Sequence, residues 1–427
     1  MKVVTIGLGY IGLPTALTFA RHGAEVIGVD ISERTIQMLN AGLVPIEEHG
    51  LNNFLKNALE KKNFRASLVP EKGDVFIVAV PTPNLQDQFG SCDLHYVEQA
   101  LRSILPYLEK GNTVIIESTI APRTMEDVIQ PFFEKAGFII GEDLFLVHCP
   151  ERVLPGKILH ELIFNNRIIG GMTEKCTKKG KEIYGLFVQG ELLEASASVA
   201  ELSKLMENTF RDVNIALANE LVKIGSKLNI DALEVIQMAN KHPRVNIHQP
   251  GPGVGGHCLA VDPYFIIAKA PEETSLIQQA RQINKSMPRF VAEKALSILH
   301  ENNGGVITLL GLAYKGNIDD MRESPAVEVL NELQELSNTT IQVFDPHIND
   351  VGAETLEEVM RESDLAVILC DHDEFKELPE KAIDLMNHKV VFDTKKIVVN
   401  QEKFDQYYTL GNLLTESEET EMGAHYE

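Results

Sequence analysis

No two cysteines in this chain form a CxxC pair. The five, Cys92, Cys149, Cys176, Cys258 and Cys370, are scattered along the sequence. That spacing gives neither a zinc site nor a disulfide framework, so no metal is expected and a reducing cytoplasm fits. No apolar run is long enough to span a bilayer, and no unit of roughly 20–50 residues repeats. The glycines after the opening strand-like run break any signal-peptide core. Positive charge is scarce: 39 Lys and Arg stand against 62 Asp and Glu, a net charge of −23. Such a surface argues against nonspecific binding to nucleic acid or to an anionic membrane, so an anionic ligand needs local basic residues.

The 427 residues allow two or three domains, and 44% hydrophobic with 24% charged residues is a globular composition. Lys2–Ile6 reads as a buried strand. Gly7, Gly9 and Gly12 in GLGYIGLP then open a helix, and the next strand, EVIGVD, ends in Asp30. The first glycine permits the tight turn, the second lets a pyrophosphate approach the backbone, and the third allows helix and strand to pack closely. The helix N-terminus faces the phosphates. A carboxylate at Asp30 accepts from a ribose 2′-OH and repels a 2′-phosphate, which favours NAD over NADP. Strand-like runs continue at DVFIVAVPTP, TVIIESTIAP, FLVHCPER and RIIGG, and Thr82, Thr119 and Glu151 fall at their carboxyl ends. Ligands gather at such ends in open parallel sheets, although each residue alone could be a turn or cap.

The stretch Val199–Ile230 has helix formers throughout and no proline. Leu202, Met206, Thr209, Phe210, Val213, Leu217, Leu221 and Ile224 cluster on one side; Lys204, Asn208 and Arg211 lie opposite, as a solvated face or a working one. Next comes a Gly/Pro-rich loop, GPGVGGHCLAVDP, holding His257, Cys258 and Asp262. Loops of this kind carry function on rigid scaffolds. A nearby lysine such as Lys204 would favour a nucleophilic thiolate at Cys258. His257 has no second ligand at metal spacing and reads as structural or substrate-positioning. Beyond Gly304 a second strand–loop–helix unit begins, with further strands at IQVFDP, DLAVILC and VVFDTKK but no GxGxxG. Its loops carry Tyr314, Lys315, Arg322 and Lys395, which suit a diphosphate. The expected fold is α/β: two Rossmann-like doubly wound parallel-sheet domains joined by a central helical region with a long helix.

Taken together, GLGYIGLP, VPTP, ESTIAP, CPERVLPG, ELSKLMENTFRDVNIALANEL, HPRVNIHQPGPGVGGHC, GLAYKGNIDDMRESP and FDTKK resemble the UDP-glucose/GDP-mannose dehydrogenase family along nearly the whole chain. The resemblance implies an NAD-binding domain at 1–190, a central helical dimerisation region with the cysteine loop at 191–300, and a UDP-sugar domain at 301–414. An acidic tail at 415–427 would follow. Tyr10, Ile11, Asp30, Thr82, Thr119 and Arg322 would contact NAD. Arg152, Val153, Lys204, Asn208, Arg211, His242, Arg244, Gly255, Tyr314, Lys315 and Lys395 would contact the nucleotide sugar. Cys258 would be the nucleophile, Lys204 an acid/base or charge stabiliser, Asn208 its helper at the oxyanion, and Asp262 or Glu151 the group that activates water. UDP-glucose members typically carry Phe-Leu-Arg-Glu-Gly after the shared glutamate. Here RVLPG follows Glu151, with Pro155 in place of the second glutamate. With HPRVNI, this tilts the expected substrate to UDP-N-acetyl-D-mannosamine, oxidised at C6 in four electrons through a thiohemiacetal and a thioester for an envelope or capsular polysaccharide. UDP-N-acetylglucosamine or UDP-glucose oxidation is the near alternative, and a two-electron hydroxy-acid dehydrogenase the remote one. The apolar side of the long helix implies a homodimer or higher homo-oligomer.

Overall fold

The computed structural model describes residues 1–46, 48–153, 156–349 and 351–413. Leu154 and Pro155 of the RVLPG segment and the tail at 415–427 lie outside the described residues. The chain divides into two compact units, Met1–Glu207 with Tyr264–Glu273, and Asn208–Pro263 with Thr274–Glu427.

In the first unit, among the described residues, one sheet is built from β1 (Lys2–Ile6), β2 (Glu25–Val29), β3 (Phe64–Ser67), β4 (Val75–Val78), β5 (Asn112–Ile116), β6 (Leu144–His148), β7 (Arg167–Gly171) and β8 (Leu192–Ser196). Its order is β3-β2-β1-β4-β5-β6-β7-β8. Neighbours are parallel except β6 and β7. The central strands are apolar on both faces because helices cover both. Val3, Ile77 and Ile115 enter one core, while Val4, Phe76 and Val114 enter the other. The strand order reverses beside β1, which makes the ends of β1 and β4 the place for a ligand.

In the second unit the sheet comprises β9 (Val306–Leu310), β10 (Thr340–Phe344), β11 (Leu365–Ile368), β12 (Val390–Asp393) and β13 (Gln406–Thr409), all parallel, in the order β10-β9-β11-β12-β13. Its two faces again feed two cores, Ile307, Leu309 and Val367 in one and Leu310, Ala366 and Ile368 in the other.

The long helix spans Ala197–Leu228 and stops at Asn229, whose φ of 56° is left-handed. The apolar stripe read from its periodicity is not its buried side. Leu202, Met206, Phe210, Leu217 and Ile224 are 41–61% exposed, whereas Glu201, Asn208, Thr209, Asp212 and Asn219 are buried. The polar side is therefore not a solvated face as a whole. Glu201, Asn208, Asp212 and Asn219 go inward because each finds a hydrogen-bonding partner there. Arg211, expected on that same side, is exposed.

Candidate active site

The dinucleotide turn is built as its glycines require. Gly7, at φ 92°, donates its amide to the Val29 carbonyl at 2.8 Å. A Cβ at Gly12 would come within 1.9 Å of the Gly7 carbonyl oxygen, whereas one at Gly9 would meet nothing, leaving an open cradle above the turn. Asp30 closes β2 and accepts from the amides of Leu8 and Ser32, each at 2.9 Å. The first helix, Gly12–Arg21, has Ile11 at its N-cap with no side-chain cap and no acid in its first turn. Its positive end is thus left for an anion, and the cradle, helix end and carboxylate fit a dinucleotide. Tyr10 is 41% exposed beside it. Thr82 and Thr119, read separately in the sequence, come together: the Thr82 hydroxyl donates to the Thr119 carbonyl at 2.6 Å.

Also in the first unit, the segment after β6 is fixed by a buried ionic cluster that sequence reasoning missed. Arg167, at the start of β7, pairs with Glu151 and lies 3.6 Å from Glu117. Its guanidinium stacks 4.5 Å above the Tyr184 ring, and the Tyr184 hydroxyl donates to Glu117 at 2.6 Å. Burial pushes Glu117 up to about 7, against the pull of Arg167. Glu151 also accepts from the Arg152 amide at 2.7 Å, so both its oxygens are engaged. Arg152 in turn grips Glu207 with Nε at 3.0 Å and Nη2 at 2.5 Å. Glu207 follows Lys204 by three residues on the long helix, and Lys204 is half-buried. Val153 is half-buried at the edge of the described segment. The signal for this cluster was the acid in ESTIAP, hidden by its neighbour Thr119.

The second unit holds Cys258, Asp262 and Asn208. Cys258 is exposed and begins a turn: its carbonyl accepts from the amides of Val261 at 3.1 Å and Asp262 at 2.9 Å. Asp262 opens the helix Asp262–Lys269, and its buried carboxylate accepts from the Asn208 side chain at 2.6 Å. The loop is backed by the second unit's own strand-end segment. The Gly256 amide donates to the Arg322 carbonyl at 3.3 Å, and a Cβ at Gly255 would come within 2.4 Å of the Glu323 carbonyl. Tyr314 meets His257 edge-on, ring centroids 6.2 Å apart. Lys395 lies at the loop's start, its Nζ 3.7 Å from where a Gly251 Cβ would stand. Arg322 makes a forked pair with Asp320, closest at 2.6 Å, while Lys315, His242 and Arg244 are exposed. Among the described residues, His347, His372 and Glu374 have donor atoms close enough for a metal ion. Both His372 nitrogens are already engaged, Nδ1 by the Asn317 amide at 2.9 Å and Nε2 with Asp345 at 3.1 Å. The ring is thus a structural link rather than a metal ligand.

The NAD binding domain of the UDP-glucose/GDP-mannose dehydrogenase family matches residues 1–188, its central domain residues 198–286 and its UDP binding domain residues 308–400. The chain belongs to the UDP-glucose/GDP-mannose dehydrogenase family. This nucleotide-sugar dehydrogenase uses NAD. It is 45% identical to the UDP-N-acetyl-D-mannosamine dehydrogenase of Methanococcus maripaludis over 93% of each chain. It is 43% identical to the NDP-N-acetyl-D-galactosaminuronic acid dehydrogenase of Ralstonia nicotianae over 92% of this chain and 95% of the other. The solved UDP-N-acetyl-mannosamine dehydrogenase Cap5O of S. aureus superposes with a TM-score of 0.91 at 55% identity, covering 97% of this chain and 99% of that one. Among the described residues, no helix of the dehydrogenase is long and apolar enough to cross a membrane.

Proposed function

We propose that this dehydrogenase oxidises the C6 hydroxyl of UDP-N-acetyl-D-mannosamine to the carboxylate, with Cys258 as nucleophile. The observation that carries the chemistry is an exposed thiol at the head of a turn whose last residue, Asp262, is held by Asn208. Similarity along the chain to enzymes named for that substrate supports the choice of sugar. NAD, when bound, would accept one hydride, and a second NAD bound in its place the other; Tyr10, Ile11, Asp30, Thr82 and Thr119 of the first unit and Arg322 of the second are the residues proposed to hold it. Lys204 takes the hydroxyl proton or stabilises the oxyanion, with Asn208 as a second donor. The Cys258 sulfur adds to the C6 aldehyde, giving a thiohemiacetal that is oxidised to a thioester. Water, oriented by Asp262, releases the uronate and returns the thiol. Covalent capture keeps the aldehyde from escaping between oxidations. Glu151, its oxygens already engaged, is assigned to fixing the Arg152–Val153 segment against the sugar nucleotide. The second unit contributes Arg211, His242, Arg244, Gly255, Tyr314, Lys315 and Lys395 to substrate binding.

The proposal keeps the division 1–190, 191–300 and 301–414, with the product serving an envelope or capsular polysaccharide from the cytoplasm. The exposed apolar stripe of the long helix supports a homodimer through that face; a sedimentation run giving only monomer at working concentration would sink that part. The main test is NADH yield against limiting UDP-N-acetylmannosamine, UDP-N-acetylglucosamine, UDP-N-acetylgalactosamine and UDP-glucose. Two NADH per UDP-N-acetylmannosamine, with little from the others, is the expected result. Two NADH from another N-acetylhexosamine, a reading the Ralstonia relative favours, would keep the mechanism and replace the sugar.

A further inference from the structure

The inward polar face of the long helix continues past Asn208. Three turns on, Asn219 is buried, and its side-chain oxygen accepts the amide of Gly251, the first glycine of the cysteine loop, at 2.9 Å. Its nitrogen donates to the Asn284 side-chain oxygen at 2.9 Å. The Asn284 nitrogen donates to the Asp212 carboxylate at 2.8 Å and to the Asp212 carbonyl at 3.0 Å. The same Asp212 oxygen receives Arg281 at 2.6 Å, and Asp212, Asn219, Arg281 and Asn284 are all at most 5% exposed. Asn208 and Asn219 are eleven residues apart, three helical turns within about 20°, so they share one face of the helix. One holds the loop where it begins, the other where it ends at Asp262.

We infer that Asn219 and Asn284 are positioning residues for the nucleophile: with Asp212 and Arg281 they form a buried polar chain that fixes the Gly251 end of the loop and so the path on which Cys258 stands. Four buried polar side chains, two from the long helix and two from the helix Ser275–Lys285, are costly unless satisfied. Here they are linked to one another and, through Asn219, to the amide of Gly251 in the cysteine loop. Along the loop the backbone is then clamped by Pro325, which a Cβ at Gly253 would meet at 2.9 Å, and by the Arg322 carbonyl at Gly256. A loop fixed at both ends and in the middle can hold a sulfur to within the fraction of an ångström that attack on a carbonyl demands.

The inference rests on the reading of Cys258 as nucleophile, and the test separates the two. Asn219→Ala is compared with Val222→Ala, which empties a fully buried site on the same helix, in the apolar cluster with Ala232 and Val291. For Asn219→Ala the expected result is a fall in kcat of ~10–100-fold with the KM for NAD unchanged, and at least tenfold faster amide exchange in the peptide spanning Gly251–Val261. Val222→Ala should lower the melting temperature more, yet keep kcat and loop exchange within about twofold of the parent. Asn284→Ala, which removes the second member only, should show the same pattern in weaker form and serves if Asn219→Ala does not fold. Unchanged kcat and exchange in both asparagine variants, or an equal kcat loss in Val222→Ala, would overturn the inference. Cys258→Ser is run alongside: if it retains four-electron turnover, the nucleophile assignment fails, while loop exchange in Asn219→Ala still decides whether the clamp exists.

Discussion

The first turns of the two sheets are built alike and used differently. Gly7-Leu8-Gly9-Tyr10-Ile11-Gly12 follows β1, and Gly311-Leu312-Ala313-Tyr314-Lys315-Gly316 follows β9. Gly7 and Gly311 have φ of 92° and 90°, and each donates its amide to the neighbouring strand at 2.8 Å. Asp30 and Asp345 close the neighbouring strands, and each accepts from the residue after the glycine and from the amide two residues on. In both sheets the first strand lies between the second and a later one, β2-β1-β4 in the first and β10-β9-β11 in the second, with β3 extending the first sheet beyond β2. The difference comes after the turn. In the first unit the helix starts at Gly12, uncapped. In the second it waits until Pro325, and Ser324 caps it. Asp345 is buried against His372, whereas Asp30 is half-exposed. One turn is an open cradle for a dinucleotide. The other has closed its carboxylate and spends its intervening loop on backing Gly255, Gly256 and His257. A shared backbone geometry thus says little about ligand; the helix start and the state of the acid say more.

The sharpest way to break this comparison is to fill both third glycines. Gly12→Ala drives a methyl into the Gly7 carbonyl, and Gly316→Ala drives one to 2.3 Å from the Asp371 carbonyl. Gly12→Ala should raise the KM for NAD by about 100-fold or abolish saturation. Gly316→Ala should lower thermal stability and leave the KM for NAD within about twofold. Equal effects on NAD would mean that the second turn also carries dinucleotide.

The closed acid gives the next effect. Burial would raise Asp345, but hydrogen bonds from His372 and from the amides of His347 and Leu312 outweigh it and hold the carboxyl at about 2, below the ordinary 3.8. A depressed folded value stabilises above the unfolded value and loses that stabilisation as pH falls through about 2. Asp345→Asn should therefore cost about 2 kcal/mol at neutral pH, and its gap to the parent in denaturant melts should narrow between about pH 4 and pH 2. Asp30→Asn should instead show itself in NAD binding and in discrimination against NADP. A pH-independent gap for Asp345→Asn would remove the charge from the explanation.

Much of this was legible in the sequence. The glycine spacing and terminal acid of the first unit, the long helix and the irregular cysteine loop stand as read, because turns, periodicity and loops leave local signatures. The strands β3, β8 and β13 were not anticipated: FRAS, LLEAS and QYYT are short and carry polar residues, since edge positions relax the need for apolar runs. Nor was the direction in which the long helix faces. Periodicity separates two sides but does not say which one is buried, and Asn219, Asp212 and Asn284 become partners only through contacts dozens of residues away. The Glu117–Arg167–Glu151 cluster was hidden for the same reason, its members coming from three separate strand ends. The kinship of GLGYIG and GLAYKG was there to be read, but the missing second glycine masked it.

The smallest effect tests the two helix starts. The Ser324 side chain accepts the Ala326 amide at 3.2 Å, Pro325 occupies the first turn without needing a partner for its nitrogen, and Glu328 adds an acid there. The Gly12–Arg21 helix has neither a side-chain cap nor an acid in its first turn, and its proline, Pro14, comes third rather than first. A cap is worth about 1 kcal/mol, so Ser324→Ala should lower the unfolding free energy by that amount with kcat and both KM values unchanged. The converse change, Ile11→Asp, supplies a cap where none exists. If the bare helix start is simply a poor cap, Ile11→Asp stabilises the protein and leaves NAD alone. If it is kept bare for the phosphates, the same carboxylate raises the melting temperature slightly and raises the KM for NAD roughly tenfold, because it occupies the amides and repels the anion they would hold. A stabilised protein with unchanged NAD affinity would return the difference between the two turns to chance.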